Sequence, residues 1–428
     1  MQSLYRDVVV WDAESESARR CDVRTEDARI VAVEPAGSFR YGPAYEGGGK
    51  TAMLPGFVNA HGHAAMTLLR GLGEDLPLME WLEQRIWPVE RRLDGEMIYT
   101  GTELAMMDML STGTTCFADM YDFMDKVAEA ALAAGMRAGL CRGIVLAKPS
   151  DMEKKLSDGL RLAESYNGAG GLISVQLGPH APYTVPFAQM KEIAAAAAER
   201  ELGIQLHWLE TRNEWSIAGT PGGLSPEEYL EASGLTDVNH LLLAHCVWID
   251  KEKLPFYARP NITAAHNPKS NWKLGSGSAP VAAMLEAKVS VAIGTDGASS
   301  NNRLDMWDEM RFAALAQKGS NMNPTLLSAR DVFRMATVAG ARALGFENTG
   351  LIKEGYTADF MLVDLDRPHY VGWDMDNLPG YIVYAGSSSD VKTTVAAGRV
   401  LYHNGEFLTI DRSKAMAKAE AARKILTA

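Results

Sequence analysis

The sequence predicts an α/β fold: a (β/α)8 TIM barrel carrying a small β-sandwich domain formed from both chain ends. Three observations predict it. Eight short apolar or β-branched runs alternate with helical stretches through the middle of the chain, and strands that alternate with helices form parallel βα units, eight of which close a barrel. These runs end in polar residues able to do chemistry. Both flanks change character, consisting of short strand-like pieces with hairpin signals.

Residues 1–55 are read as the first part of the sandwich, through "YRDVVVWD" and "ARIVAVEP". Residues 56–345 are read as the barrel. Its strand candidates are "MLPGFVNAH" (53–61), "GTTCFADM" (113–120), "RAGLCRGIV" (137–145) and "LISVQLGPH" (172–180), followed by "GIQLHWLE" (203–210), "HLLLAHCV" (240–247), "NITAAHNP" (261–268) and "VSVAIGTDG" (289–297). Stretches such as "DKVAEAALAAGMR" and "FAQMKEIAAAAAERELG" supply helices between them. Residues 346–428 return to a strand pattern in "ADFMLVDLD" and "RVLYHNGEF", where Asn404-Gly405 marks a hairpin turn. The tail "RSKAMAKAEAARKILTA" has helical composition and is expected to pack on the outside.

A length of 428 residues suits one barrel plus an accessory domain. Hydrophobic residues at 47% and charged residues at 22% describe a globular chain with a large core. The net charge of -12 argues against a nucleic-acid partner, which calls for a basic face. Cys21, Cys116, Cys141 and Cys246 lie far apart without a CxxC pair, which suits a reducing cytoplasm. The opening "MQSLYRDVVVWDAE" lacks the order of a signal peptide, and no run of about 18 apolar residues could span a bilayer. The expectation is a cytoplasmic protein acting on a small molecule, with no nucleic acid and no membrane, self-association into a homo-oligomer being left open.

The polar residues that end the runs are His61 and His63, Asp119, Arg142, His180, His207 with Glu210, His245, His266 and Asp296. In such a barrel the C-terminal strand ends line the active site. His61 and His63, two apart on a strand, point to one face. Alone, the pair could equally cap a strand. With His207 and Asp296 at other strand ends, imidazoles and a carboxylate converge as in a catalytic zinc site, where one position stays open for water. Such water loses its proton near neutral pH. Asp296 could act as its base and His245 could orient it. Glu210, three residues past His207, could protonate a ring nitrogen as the adjacent carbon is attacked, the logic of nucleobase deamination. The plainer reading of Glu210 is a solvated loop charge.

The stretches "PGFVNAHGHAAMTLLRG", "HWLET", "LAHCVW", "HNPKSNWKLGSG" and "GTDGASSNN" together resemble the amidohydrolase superfamily, and within it the deaminases of 5′-methylthioadenosine and S-adenosylhomocysteine and their triazine- and purine-hydrolysing relatives. The resemblance covers nearly the whole chain. It implies that His61, His63, His207 and Asp296 hold one divalent metal ion, expected as Zn2+, with Fe2+ or Mn2+ using the same donors. "LISVQLGPH" has no lysine, as in the single-metal branch. The resemblance further implies Glu210 as proton shuttle, His245 as a partner of the attacking water and His180 as a contact to the purine. Glu90, by composition an exposed helix charge beside Arg91 and Arg92, becomes the group that binds the ribose hydroxyls. Arg142 becomes a grip on a substrate carboxylate. Lys155 falls near the family's second arginine, where it offers a point charge in place of a fork. Met66, Trp81 and Trp87 could wall a thioether. The expected reaction is hydrolytic deamination of an adenine nucleoside: 5′-methylthioadenosine, S-adenosylhomocysteine, adenosine or 5′-deoxyadenosine. The alternatives are a hydrolase of guanine, a pterin or a chlorinated triazine on the same site, or a non-catalytic barrel stabilised by metal.

Overall fold

Two sheets organise the chain, and the computed structural model describes residues 2–146 and 148–428. The N-terminal strands are β1 (Gln2–Val10), β2 (Arg19–Glu26), β3 (Arg29–Pro35), β4 (Tyr45–Glu46) and β5 (Thr51–Pro55). Barrel strands follow: β6 (Phe57–Asn59), β7 (Thr114–Tyr121), β8 (Arg137–Ile144), β9 (Ile173–Pro179), β10 (Gly203–Trp208), β11 (Leu241–His245), β12 (Ile262–His266) and β13 (Ser290–Ile293). The C-terminal strands are β14 (Phe360–Asp364), β15 (Val391–Ala396), β16 (Arg399–His403) and β17 (Glu406–Phe407).

β6 to β13 pair in sequence order, each parallel to the next. The circle is completed where the Ala60 amide donates to Ile293 O at 2.9 Å and the Asp296 amide to His61 O at 3.0 Å. β11 and β12 are buried along their whole length, as expected for parallel strands covered on both faces.

The flanking strands form one sheet in the order β17-β16-β15-β14-β5-β1-β2-β3, with β4 on β1. Its two halves meet where β5 runs antiparallel to β14, Leu54 opposite Met361. Tyr5, Val8, Val10, Phe360 and Leu362 share a core here. The sheet is fastened to the barrel by Arg137 of β8, whose Nε donates to Asp359 Oδ2 at 2.5 Å, both groups buried. Removing either partner would strand a buried charge.

The run "MLPGFVNAH" thus serves both sheets. It divides at Gly56, where an added Cβ would lie 2.2 Å from Thr115 Oγ1; only glycine lets the chain pass so close to β7. An apolar run carries no mark of such a boundary, because both halves are equally buried.

The terminal helix Arg412–Thr427 packs outside the barrel. Its Ala419, Ala422 and Leu426 meet Met66, Leu68, Trp81 and Ile86, and Arg423 donates to Leu68 O at 2.9 Å. The helix therefore backs the segment that links β6 to the helix Gly95–Ser111 and overhangs the barrel mouth. Among the described residues, no helix is long and apolar enough to cross a membrane. All four cysteines are free and buried.

Candidate active site

Site residues occupy the C-terminal strand ends and the turns just beyond them. His207 lies within β10 and His245 ends β11, while His61 and Asp296 follow β6 and β13. Three turns hold non-glycine residues at positive φ: Leu209 at 48°, His245 at 76° and Asp296 at 61°. Such backbone persists where surrounding contacts over-determine it, which is common at functional sites.

Five side chains converge here in two triads that share His61. Asp296 Oδ1 lies 3.2 Å from His63 Nε2 and 3.7 Å from His61 Nε2. Donor atoms of His61, His63 and Asp296 fall within 4.8 Å of one another, as do those of His61, His207 and His245. His61 Nε2 is buried without a hydrogen-bond partner, an arrangement that calls for a ligand. The other donors are held from behind. His63 Nδ1 donates to Met120 O and His207 Nδ1 to His180 O, each at 2.8 Å, so their Nε2 lone pairs face inward. Asp296 Oδ2 accepts from Ser270 Oγ at 2.5 Å and Ser300 Oγ at 2.9 Å.

Burial holds His61 and His207 well below the usual imidazole range, keeping both neutral. Burial works against ionisation of Asp296 too, yet the hydrogen bond and charge of His63 outweigh it and hold the carboxyl well below its usual range. Burial would also lower His63, but Asp296 outweighs this and lifts it to about 9; a cation would take the place of that proton. Imidazole nitrogens plus one anionic carboxylate fit a single divalent ion with an open position.

Glu210 faces this cluster, with Oε2 3.8 Å from His245 Nε2. Its turn is fixed by Glu214, whose carboxylate accepts from the amides of Leu209 at 2.8 Å and Glu210 at 2.7 Å. Glu210 is buried, and burial raises its pKa. A carboxyl so placed can hold a proton and give it up. His245 Nδ1 lies 2.8 Å from Asn271 Oδ1.

A cavity of about 360 Å³ opens from the cluster. His63, Glu90, Arg142, Lys155, His180, His207, Glu210, His245 and Asp296 all line it, as do Met66, Trp81 and Trp87; His61 sits one layer deeper. Glu90 is half-buried, not the exposed charge that composition suggests: its Oε1 accepts from Tyr121 Oη at 2.5 Å, and burial raises its pKa. His180 Nδ1 lies 3.0 Å from Thr184 Oγ1, whose hydroxyl donates to Ala181 O at 3.1 Å. Nδ1 must then be the donor, which leaves the Nε2 lone pair free. Burial takes His180 down to about 3, so it stays neutral.

Arg142 and Lys155 stand at the far end. Arg142 pairs with Asp122 and donates to Gly143 O at 2.5 Å, and Lys155 Nζ donates to Val145 O at 2.6 Å.

Several residues escaped the sequence reading. Ser270, Asn271 and Ser300 lie inside motifs already singled out, so their signal was present. Tyr121 and Glu214 had none, because one reads as a strand aromatic and the other as a loop charge.

Comparison with known proteins follows the same lines. Residues 52–401 match the amidohydrolase family. The chain is 44% identical to the 5-methylthioadenosine/S-adenosylhomocysteine deaminase of Pelotomaculum thermopropionicum, over 91% of this chain and 90% of that one. It is 42% identical to the 5'-deoxyadenosine deaminase of Methanothermobacter thermautotrophicus, over 96% and 95%. The crystal structure of an adenosine deaminase from Xanthomonas campestris with bound zinc superposes with a TM-score of 0.92 at 33% identity, covering 99% of this chain and 98% of that one.

Proposed function

The chain belongs to the amidohydrolase family, and from that premise we propose that it deaminates an adenine nucleoside by hydrolysis, releasing the inosine analogue and ammonia. The observation that carries this reading is the buried Glu210 carboxyl, held by Glu214 and set 3.8 Å from His245 beside the histidine–aspartate cluster.

His61, His63, His207 and Asp296 would hold one divalent ion, zinc by donor chemistry, with Fe2+ or Mn2+ using the same atoms. When bound, such an ion supplies Lewis acidity that makes water nucleophilic near neutral pH. The chain's own groups divide the remaining work. Asp296 accepts a proton from the attacking water and His245 orients that water toward C6. Glu210 gives its proton to N1, so that electrons of the ring can be received there as the C6–O bond forms. The amino group takes up the proton that Asp296 received, the C6–N bond breaks to release ammonia, and the remaining proton of the C6 hydroxyl returns to Glu210 as the carbonyl forms.

Glu90, held by Tyr121, accepts hydrogen bonds from the ribose hydroxyls, and the His180 Nε2 lone pair faces the purine. The pairing of Glu90 with Tyr121 favours a nucleoside over a free base, which would leave that carboxylate unused. The partner is a small nucleoside, and four free, buried cysteines suit a reducing cytoplasm.

The test is ammonia release by zinc-loaded protein from 5′-methylthioadenosine, 5′-deoxyadenosine, adenosine, S-adenosylhomocysteine, guanine and a chlorotriazine. Turnover confined to guanine or the triazine would refute the nucleoside reading.

A further inference from the structure

The far end of the cavity narrows the substrate class, in an inference that rests on the nucleoside-deaminase reading. This end is built by residues that follow β7 and by the end of β8 with Val145 beyond it, together with Lys155. Two cations stand there, and both are engaged by the chain itself. Arg142 is ion-paired with Asp122 while also donating to Gly143 O. Lys155 Nζ is turned onto Val145 O. Beside them, Phe123 and Val145 leave apolar surface open to the cavity.

We propose that Asp122 is a specificity-determining residue, which by holding Arg142 selects adenine nucleosides with an uncharged 5′ substituent over those that end in a carboxylate. An incoming carboxylate must displace Asp122 from the guanidinium or lie next to a like charge, and either loses most of the charge-assisted hydrogen bonding it could gain. Across the mouth Asp122, Asp125, Asp151 and Asp158 balance Arg142, Lys154, Lys155 and Arg161, and Arg161 pairs with Asp158. No surplus positive field draws an anion inward. A methyl or alkyl thioether gives up no such contact and covers Phe123 and Val145. Adenine nucleosides with a methyl or alkyl-thioether 5′ group therefore outrank those whose 5′ tail ends in a carboxylate alone. Asp122 acts through Arg142, and its side chain is 56% exposed against 17% for the arginine, so its effect is that of a half-exposed pair.

The experiment compares two probes of one shape, 5′-carboxyethylthio-5′-deoxyadenosine and its carboxamide, with 5′-methylthioadenosine as reference. The wild type is expected to show higher kcat/KM for the amide by about fivefold, the scale of a half-exposed ion pair. Asp122→Asn should bring the acid-to-amide ratio close to unity. An acid handled as well as the amide by the wild type would overturn the proposal without needing any variant to fold. So would a lower acid-to-amide ratio in Asp122→Asn, because Asp122 would then assist the charged tail. No turnover of 5′-methylthioadenosine would overturn the deaminase reading and this inference together, whereas turnover of 5′-methylthioadenosine with the acid preferred would overturn the inference alone.

Discussion

His207 Nδ1 donates to the main-chain carbonyl of His180 at 2.8 Å, and the His207 amide donates to the same oxygen at 2.9 Å. A carbonyl oxygen only accepts, so this contact puts the proton on Nδ1 and the lone pair on Nε2. One backbone oxygen at the end of β9 therefore sets the donor that β10 presents to the centre of the barrel. His63 obtains the same tautomer from Met120 O at the end of β7.

Neighbouring strands thus orient the proposed metal donors, and those supports can be weakened without touching a proposed ligand. Ser270→Ala removes a hydroxyl 2.5 Å from Asp296 Oδ2. Zinc affinity should fall by about tenfold to a hundredfold, the usual loss when a ligand's supporting hydrogen bond goes. Competition with a chromophoric chelator measures it. His207→Ala should go further, losing metal and activity together while circular dichroism still reports the folded barrel. Activity persisting without metal would contradict the assigned role.

Glu210→Gln keeps the shape of the side chain and removes its transferable proton. kcat should drop by about a hundredfold to ten-thousandfold, the span of a lost general acid–base group, while zinc content and KM change little. A variant as active as wild type would return Glu210 to the status of a buried loop charge. Glu214→Ala should lower kcat through the backbone it holds, since the amides of Leu209 and Glu210 would both lose their acceptor.

Glu90→Ala should raise KM for 5′-methylthioadenosine by at least about tenfold, because a charged acceptor of two hydroxyl hydrogen bonds is lost. Tyr121→Phe, which removes the hydroxyl 2.5 Å from Glu90 Oε1, should shift KM in the same direction by less. Steady-state kinetics on both variants decide this, and an unchanged KM in Glu90→Ala would remove the ribose contact from the account.

Glu309 supports the site from beneath and predicts a pH dependence of stability. Its Oε1 accepts from Asn301 Nδ2 at 2.7 Å and its Oε2 from the Lys269 amide at 3.3 Å, tying the turn after β12 to the turn after β13. Burial raises this carboxyl from its ordinary 4.5 to about 8. Between those values the folded protein binds a proton that the unfolded chain has lost. The stabilising contribution is therefore complete below the ordinary value and disappears as pH rises through about 8. Glu309→Gln imitates the protonated acid at every pH. In urea denaturation it should gain on the wild type as pH rises from about 5 to about 8, whereas a constant gap between the two would contradict the shift.

Much of this architecture was legible in the sequence because the barrel writes itself as a repeated strand–helix period, with chemistry placed at the strand ends. The same regularity concealed the division at Gly56, where one apolar run supplies two sheets. Local composition misjudged Glu90, since two adjacent arginines suggest solvent while the fold turns the carboxylate inward onto Tyr121. Glu214 and Asp122 were illegible for a related reason. Each acts by holding a neighbour in space, and nothing in the local sequence says which amide or guanidinium a loop carboxylate will meet. Arg142 was found as a cavity cation, but its partner, twenty residues earlier in the chain, became visible only when β7 and β8 lay side by side.

The most direct test of the central claim incubates zinc-loaded protein with 5′-methylthioadenosine and quantifies 5′-methylthioinosine and ammonia, alongside Glu210→Gln loaded to the same zinc content. The account predicts equimolar products from the wild type and a rate lower by orders of magnitude from the variant. Undiminished turnover by Glu210→Gln, or no turnover of any adenine nucleoside while guanine or a chlorotriazine reacts, would contradict it.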